Sequence, residues 1–248
     1  MSGHNKWSTI KRKKGAADAK RGKKFTKIIK EIIIAAKEGG GDPDTNSRLR
    51  LAIQNAKGAN MPKDNIERAI KKAVGSEAVS YTETSFEGYA PHGVAVFVEC
   101  LTDNNNRTVA AIRSAFNKYG GSLGTNGSLS FLFERKGVFT INNEGFSLDD
   151  LELNMIDAGA EDFEVDGDTV TITCPKEDFG SVSRKLAELG IEPEESGLKR
   201  IPNDTKKLDV ESAKKVLKFI EFLEDDDDIQ NVYHNLEMTD ELAAALDE

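Results

Sequence analysis

The sequence predicts an α+β protein: a small N-terminal helical domain plus two ferredoxin-like α/β domains, one inserted in the other. Three observations predict it. Apolar residues recur at helical spacing through residues 25–75 and then give way to short strand-like runs alternating with helices. Residues 137–205 spell a complete β-α-β-β-α-β order. The stretches on either side each supply part of a second such fold. At 248 residues the chain exceeds the ~100–200 residues of a single domain. The expected division is 1–77, 78–134 together with 206–248, and 135–205.

Taking the elements in order, residues 1–24 hold little apolar side chain besides Trp7 and Ile10 and cannot fold alone. Phe25, Ile28, Ile29, Ile32 and Ile33 mark a first helix that stops at Gly39-Gly40-Gly41. Leu49, Ala52, Ile53 and Ala56 mark a second. A third starts with Pro62 in its first turn, where a missing N–H loses no bond. Its apolar stripe is Ile66, Ala69, Ile70, Ala73 and Val74.

A β-α-β unit follows: strand 93–101, helix 107–119 and strand 129–133. Residues 137–205 then give strand 138–141, helix 147–158, strand 161–165, a turn at Asp166-Gly167, strand 168–173, helix 176–189 and strand 191–201. The tail adds a short strand at 205–208, a helix at 210–223 and a strand at 229–233.

Charge is the informative part of the composition. The chain carries 34 Lys+Arg and 43 Asp+Glu, net −9, which as an average argues against a nucleic-acid ligand. The average hides a segregation: residues 1–75 hold 19 basic and 7 acidic residues, net +12, and the remainder holds 15 and 36, net −21. Such asymmetry marks a polyanion-binding arm on a body that repels the same ligand. Residues 1–24 are the densest part, with Lys6, Lys11, Arg12, Lys13, Lys14, Lys20, Arg21, Lys23 and Lys24 against Asp18 alone. Arg48 and Arg50, with Gln54 and Asn55, lie on the second helix. Trp7 either stacks on an unpaired base or anchors the arm on the helical domain.

Little else points to chemistry. His4, His92 and His234 fall in three separate regions and form no local triad. Cys100 and Cys174 lie in apolar runs without metal-ligand spacing and read as buried thiols, so neither metal nor cofactor is expected. The glycine-rich stretch 120–127 follows a helix and precedes a strand, the reverse of a nucleotide cradle, and reads as a helix C-cap and turn. The polar loop 101–108 offers either an N-cap or a phosphate site with Arg107. Residues 224–228 are five consecutive acids, read as a solvated turn or as a competitor for the basic arm. No apolar run reaches the ~20 residues of a membrane span. With no secretory signal pattern either, a cytoplasmic location is expected.

Longer motifs then carry a resemblance. Gly3-His4-Asn5-Lys6-Trp7, Asp18-Ala19-Lys20-Arg21-Gly22-Lys23, Gly39-Gly40-Gly41-Asp42-Pro43 and Asn60-Met61-Pro62-Lys63-Asp64-Asn65-Ile66 are similar to the signature of the YebC/PmpR family. That family includes the mitochondrial translational activator of cytochrome c oxidase subunit I. The similarity continues through Glu87-Gly88-Tyr89, Asn106-Arg107-Thr108 and Asp228-Ile229-Gln230-Asn231-Val232-Tyr233. Two places depart from the pattern: Ala90-Pro91-His92-Gly93 stands for Gly-Pro-Gly-Gly, and Ser47 stands for the proline of Asn-Pro-Arg.

The resemblance implies a three-domain α/β protein without known catalysis, whose relatives are described as DNA-binding transcriptional regulators and as ribosome-associated translation factors. It places basic binding positions on Lys6, Lys11, Lys20, Arg21, Lys23 and Lys24. The expected partner is therefore DNA or ribosomal RNA, with the ribosome itself included. Two other classes stand beside this one: a nucleotide-hydrolysing enzyme using the glycine loop and Asp103, and a protein-interaction scaffold using the acidic body.

Overall fold

Helix formers extend the first helix beyond its apolar stripe. The structure, a computed structural model, describes residues 17–75 and 80–247. Its first helix, α1 (Ala17–Gly39), already includes the eight residues before Phe25, where the expected helix begins. Residues 17–24 are mostly Ala, Lys and Arg, whose propensity extends a helix without a core-facing stripe. Gly40, at φ 87°, ends it.

Asn46 then joins two helices. Its side-chain oxygen accepts the Leu49 N–H at 3.0 Å and its amide donates to the carbonyls of Ala35 at 2.7 Å and Gly40 at 2.8 Å. It thus caps α2 (Ser47–Gly58) while satisfying the end of α1. Helix α3 (Lys63–Val74) follows Pro62 and buries Ile66, Ala69 and Ala73.

Two four-stranded sheets make up the rest. The first comprises β1 (Thr82–Tyr89), β2 (Ala95–Thr102), β3 (Ser122–Leu123) and β8 (Ile229–His234), in the order β3-β1-β2-β8. Every neighbouring pair is antiparallel. Helices α4 (Asn105–Tyr119) and α7 (Val210–Glu224) cover one face through Val96, Val98, Ile112, Phe116, Val216 and Phe219. Central β2 reads as a continuous apolar run because its other face is covered too, by Leu129 and Phe133 against Phe97. A last helix, α8 (Asp240–Asp247), adds Leu242 to the core.

The second sheet has β4 (Phe133–Asn142), β5 (Asp162–Asp166), β6 (Thr169–Pro175) and β7 (Glu195–Pro202), in the order β5-β6-β4-β7. With α5 (Leu148–Asp157) and α6 (Phe179–Glu188) it realises the expected β-α-β-β-α-β order. Its strands all fall in sequence between β3 and β8 of the first sheet. The fold class is thus the expected α+β arrangement of N-terminal helices and two antiparallel sheets.

Three expected elements differ. Strand β1 was not foreseen; it forms a hairpin with β2, so the first sheet opens on two strands before any helix. Residues 129–133 are not a sheet strand: Ser130–Leu132 is a single tight turn, and its flanking Leu129 and Phe133 plug the sheet face. Residues 205–208 contribute one isolated bridge, Lys206 to Leu236, instead of a strand. At 129–133 apolar residues suggest a pairing strand where burial alone is needed.

The described residues form two compact units, one of 17–30, 80–134 and 201–247, the other of 31–75 and 135–200. In the second unit, Asn55 of α2 donates to the Ser196 carbonyl at 2.8 Å and accepts the Ser196 N–H at 2.9 Å. Gly58, at the end of the same helix, lies against the backbone of Glu194, whose carbonyl oxygen would sit 2.2 Å from any added Cβ. The α2 helix is therefore packed on the strand region of its own unit.

Candidate nucleic-acid interface

The cations of α1 divide by helical position. At 100° per residue, Lys23, Lys27 and Lys30 share one face, with Lys24 at its flank and Arg21 on the opposite side. The first set meets the acidic run. Lys23 pairs with Asp225 at 2.9 Å, Lys27 donates to the Glu224 carbonyl at 2.8 Å, and Lys30 donates to Asp228 at 2.8 Å. Lys30 also donates to the carbonyls of Asp227 at 2.8 Å and Leu101 at 3.2 Å and lies 5.3 Å from the Tyr81 ring centre.

Asp228 is the centre of this clamp. It is buried, and it accepts hydrogen bonds from Thr102, Arg107 and Thr108 besides Lys30. Burial pushes its carboxyl up, but the bonds from Lys30, Arg107 and Thr108 outweigh that and hold it down at about 2. Residues 224–228 are thus no fully solvated turn: the last acid is built into the interior, where four donors converge on it.

The sequence-derived positions fare differently. Lys6, Trp7, Lys11, Arg12, Lys13 and Lys14 lie outside the described residues, and Lys20 occupies the first turn of α1. Arg21 and Lys24 are exposed, with the Arg21 guanidinium 5.4 Å from the Phe25 ring centre. Lys23 belongs to the clamp. Arg48 reaches Glu38 at 2.7 Å and Glu31 at 3.4 Å, and Arg50 donates to the carbonyls of Pro43 at 2.9 Å and Asp44 at 2.8 Å. Asn55, grouped with them as a base-reading residue, is engaged by Ser196. Arg107 pairs with Asp103 at 2.8 Å and Asp228 at 2.6 Å, which raises its already high pKa through the Asp228 bond first.

The loop at 101–108 is an N-cap: the Asn104 side chain accepts the Arg107 N–H at 3.1 Å at the start of α4. Gly120, at φ 74°, caps the other end, as expected of the glycine-rich stretch. Beyond it, buried Glu87 accepts the N–H groups of Gly127 at 2.7 Å and Leu129 at 2.5 Å, so a carboxylate of the chain itself occupies these donors. Both cysteines are buried, and burial foremost pushes their thiols up to about 12 for Cys100 and about 11 for Cys174. Among the described residues no helix is long and apolar enough to cross a membrane.

Lys27 and Lys30 escaped the sequence reading because the apolar stripe of α1 drew attention to Ile28 and Ile32. The signal was present: three lysines at i, i+4 and i+7 face a matching run of acids elsewhere in the chain.

Residues 5–76 match the model of the TACO1/YebC N-terminal domain, and residues 81–236 match that of the TACO1/YebC second and third domain. The chain belongs to the TACO1/YebC family. Among its relatives is a "probable transcriptional regulatory protein" of Amoebophilus asiaticus, 53% identical over 95% of this chain and 98% of that protein. Another of the same name, from Thermotoga maritima, is 52% identical over 97% of this chain and 95% of the relative. A crystal structure of a conserved hypothetical protein from Aquifex aeolicus superimposes with a TM-score of 0.82 at 44% identity, covering 90% of this chain and 93% of that one. Shared TACO1/YebC membership bears out the resemblance drawn from residues 3–23 and 60–66.

Proposed function

We propose that this chain regulates gene expression without catalysis, by binding nucleic acid through its basic N-terminal region, and that its ligand is ribosomal RNA met by shape and charge. The observation that carries this reading is the segregation of charge, +12 over residues 1–75 against −21 over the rest. Lysines and arginines release counterions from a phosphate polymer, while the acidic remainder is repelled and keeps the basic region foremost. Arg21 and Lys24 are exposed on α1, as a backbone-tracking contact requires.

A preference for RNA over base-read duplex DNA is supported by α2. Reading base edges needs bidentate side chains aimed at a groove. Arg50 and Asn55 instead spend their donors on backbone carbonyls, and Arg48 faces two glutamates. Shape-and-charge recognition of RNA makes no such demand.

The second reading is a DNA-binding transcriptional regulator, favoured by the name that the relatives carry. Binding of the full chain to a promoter duplex, a scrambled duplex and a ribosomal RNA fragment, between ~50 and ~200 mM salt, separates the two. Equal affinity for the two duplexes with tighter RNA binding supports the first reading. A strong preference for one duplex sequence supports the second.

A further inference from the structure

Residues 104–133 contain no Asp or Glu, although the portion of the chain after residue 75 holds 36 of them. The bases in that stretch are Arg107, Arg113 and Lys118, all on α4. Arg107 turns back onto Asp103 and Asp228, whereas Arg113 and Lys118 are exposed on the outward face of α4 together with Ala110, Ser114 and Asn117. Next to that face, Phe222 of α7 is 41% exposed. The Lys118 ammonium lies 4.5 Å from its ring centre, and the Tyr119 ring centre lies 5.2 Å from it, tilted by 44°. The two helices are fixed beneath by buried Phe116 and Phe219, whose rings meet edge to face at 4.9 Å.

An exposed aromatic ring beside a helix face that carries cations and no acid matches a single strand whose phosphates lie along the bases while an unpaired base stacks on the ring. We infer that the outward face of α4 with Phe222 is a second nucleic-acid site, on the acidic part of the chain, that takes single-stranded RNA. Arg113 and Lys118 hold phosphates, an unpaired base takes the place of the Lys118 ammonium over the Phe222 ring, and Ser114 and Asn117 offer groups that pair with a ribose 2′-hydroxyl. A duplex does not fit this description, because its bases are already stacked and present no free face to Phe222.

The inference adds to the proposed function and rests on the chain meeting nucleic acid at all. The test uses the full chain and a fluorescein-labelled single-stranded RNA of mixed sequence, with DNA of the same sequence and the RNA duplex as comparisons. Phe222→Ala and Phe222→Leu each weaken single-strand RNA binding ~10-fold, the scale of one lost base–aromatic stack, and leave duplex binding as it was. Arg113→Gln with Lys118→Gln, on exposed positions, lowers the salt dependence of RNA binding by about two counterions' worth.

Unchanged RNA affinity in all three variants overturns this site and leaves the basic N-terminal region standing. Equal or tighter binding of the single-stranded DNA overturns the assignment to RNA. Absence of binding by the parent chain to every one of these ligands overturns both this inference and the proposed function.

Discussion

At the scale of single residues, two buried titratable groups set how the fold answers to acid. His234 is fully buried, and burial holds its imidazole down at about 4, against an ordinary 6.5. Its folded pKa is depressed, so the unfolded chain takes up a proton that the folded chain refuses. Stability is therefore complete above pH 6.5 and falls as pH drops toward 4, by about 1.4 kcal/mol per pH unit. Asp228 acts lower on the scale, since its carboxyl is held at about 2 against 3.8; its contribution is present above 3.8 and lost as pH falls through 2. Urea unfolding as a function of pH should show both windows, with His234→Leu flattening the upper and Asp228→Asn the lower.

Asp228→Asn should also cost about 3 kcal/mol at neutral pH, because it leaves Lys30, 9% exposed, without its buried counter-charge. Two other residues explain the departures from the family pattern. His92 sits at φ 63°, a left-handed conformation that a glycine adopts without strain. Ser47 is the first residue of α2, where proline loses no bond. Both His92→Gly and Ser47→Pro should raise thermal stability, each by about 0.5 kcal/mol.

At the scale of elements, α1 and α2 show how a basic stretch is kept ordered. Three lysines of α1 are held on the acidic run, which fixes the helix and leaves Arg21 and Lys24 outward. Helix α2 is pinned by Asn55 to Ser196 and by the close approach of Gly58 to Glu194. Gly58→Ala should lower the melting temperature by several degrees, since the added methyl meets backbone that cannot rotate away. Asn46→Ala, at a residue that serves two helices, should cost at least the ~1 kcal/mol of a lost cap.

Elements with a clean stripe or alternation were legible: α2, α3, α4 and all of the second sheet. Strand β1 was not, because Thr82-Glu83-Thr84-Ser85-Phe86-Glu87-Gly88-Tyr89 carries two glutamates and a glycine. One of those glutamates, Glu87, is buried for the sake of two backbone N–H groups, a reason no periodicity reveals.

At the scale of the whole molecule, the sequence tells more about where charge lies than about what each charge does. The excess of cations in residues 1–75 is visible by counting, yet Lys23, Arg48 and Arg107 turn out to be partnered by the chain's own acids. The pairs Lys23–Asp225 and Arg107–Asp228 join residues 202 and 121 positions apart, and only the folded chain brings them together. The insertion of one sheet within the connection of another was legible because residues 137–205 form a closed set of elements. The order of the first sheet was not, since its hairpin precedes the helix.

The most direct measurement is the salt dependence of ribosomal RNA binding, for the full chain and for a variant with Lys6, Lys11, Arg12, Lys13, Lys14, Lys20 and Lys24 changed to glutamine. Affinity of the parent should fall by roughly three orders of magnitude between about 50 and 200 mM salt, and the variant should lose most of both its affinity and its salt slope. A variant that binds as tightly and as salt-sensitively as the parent would contradict the assignment of nucleic-acid binding to the basic N-terminal region.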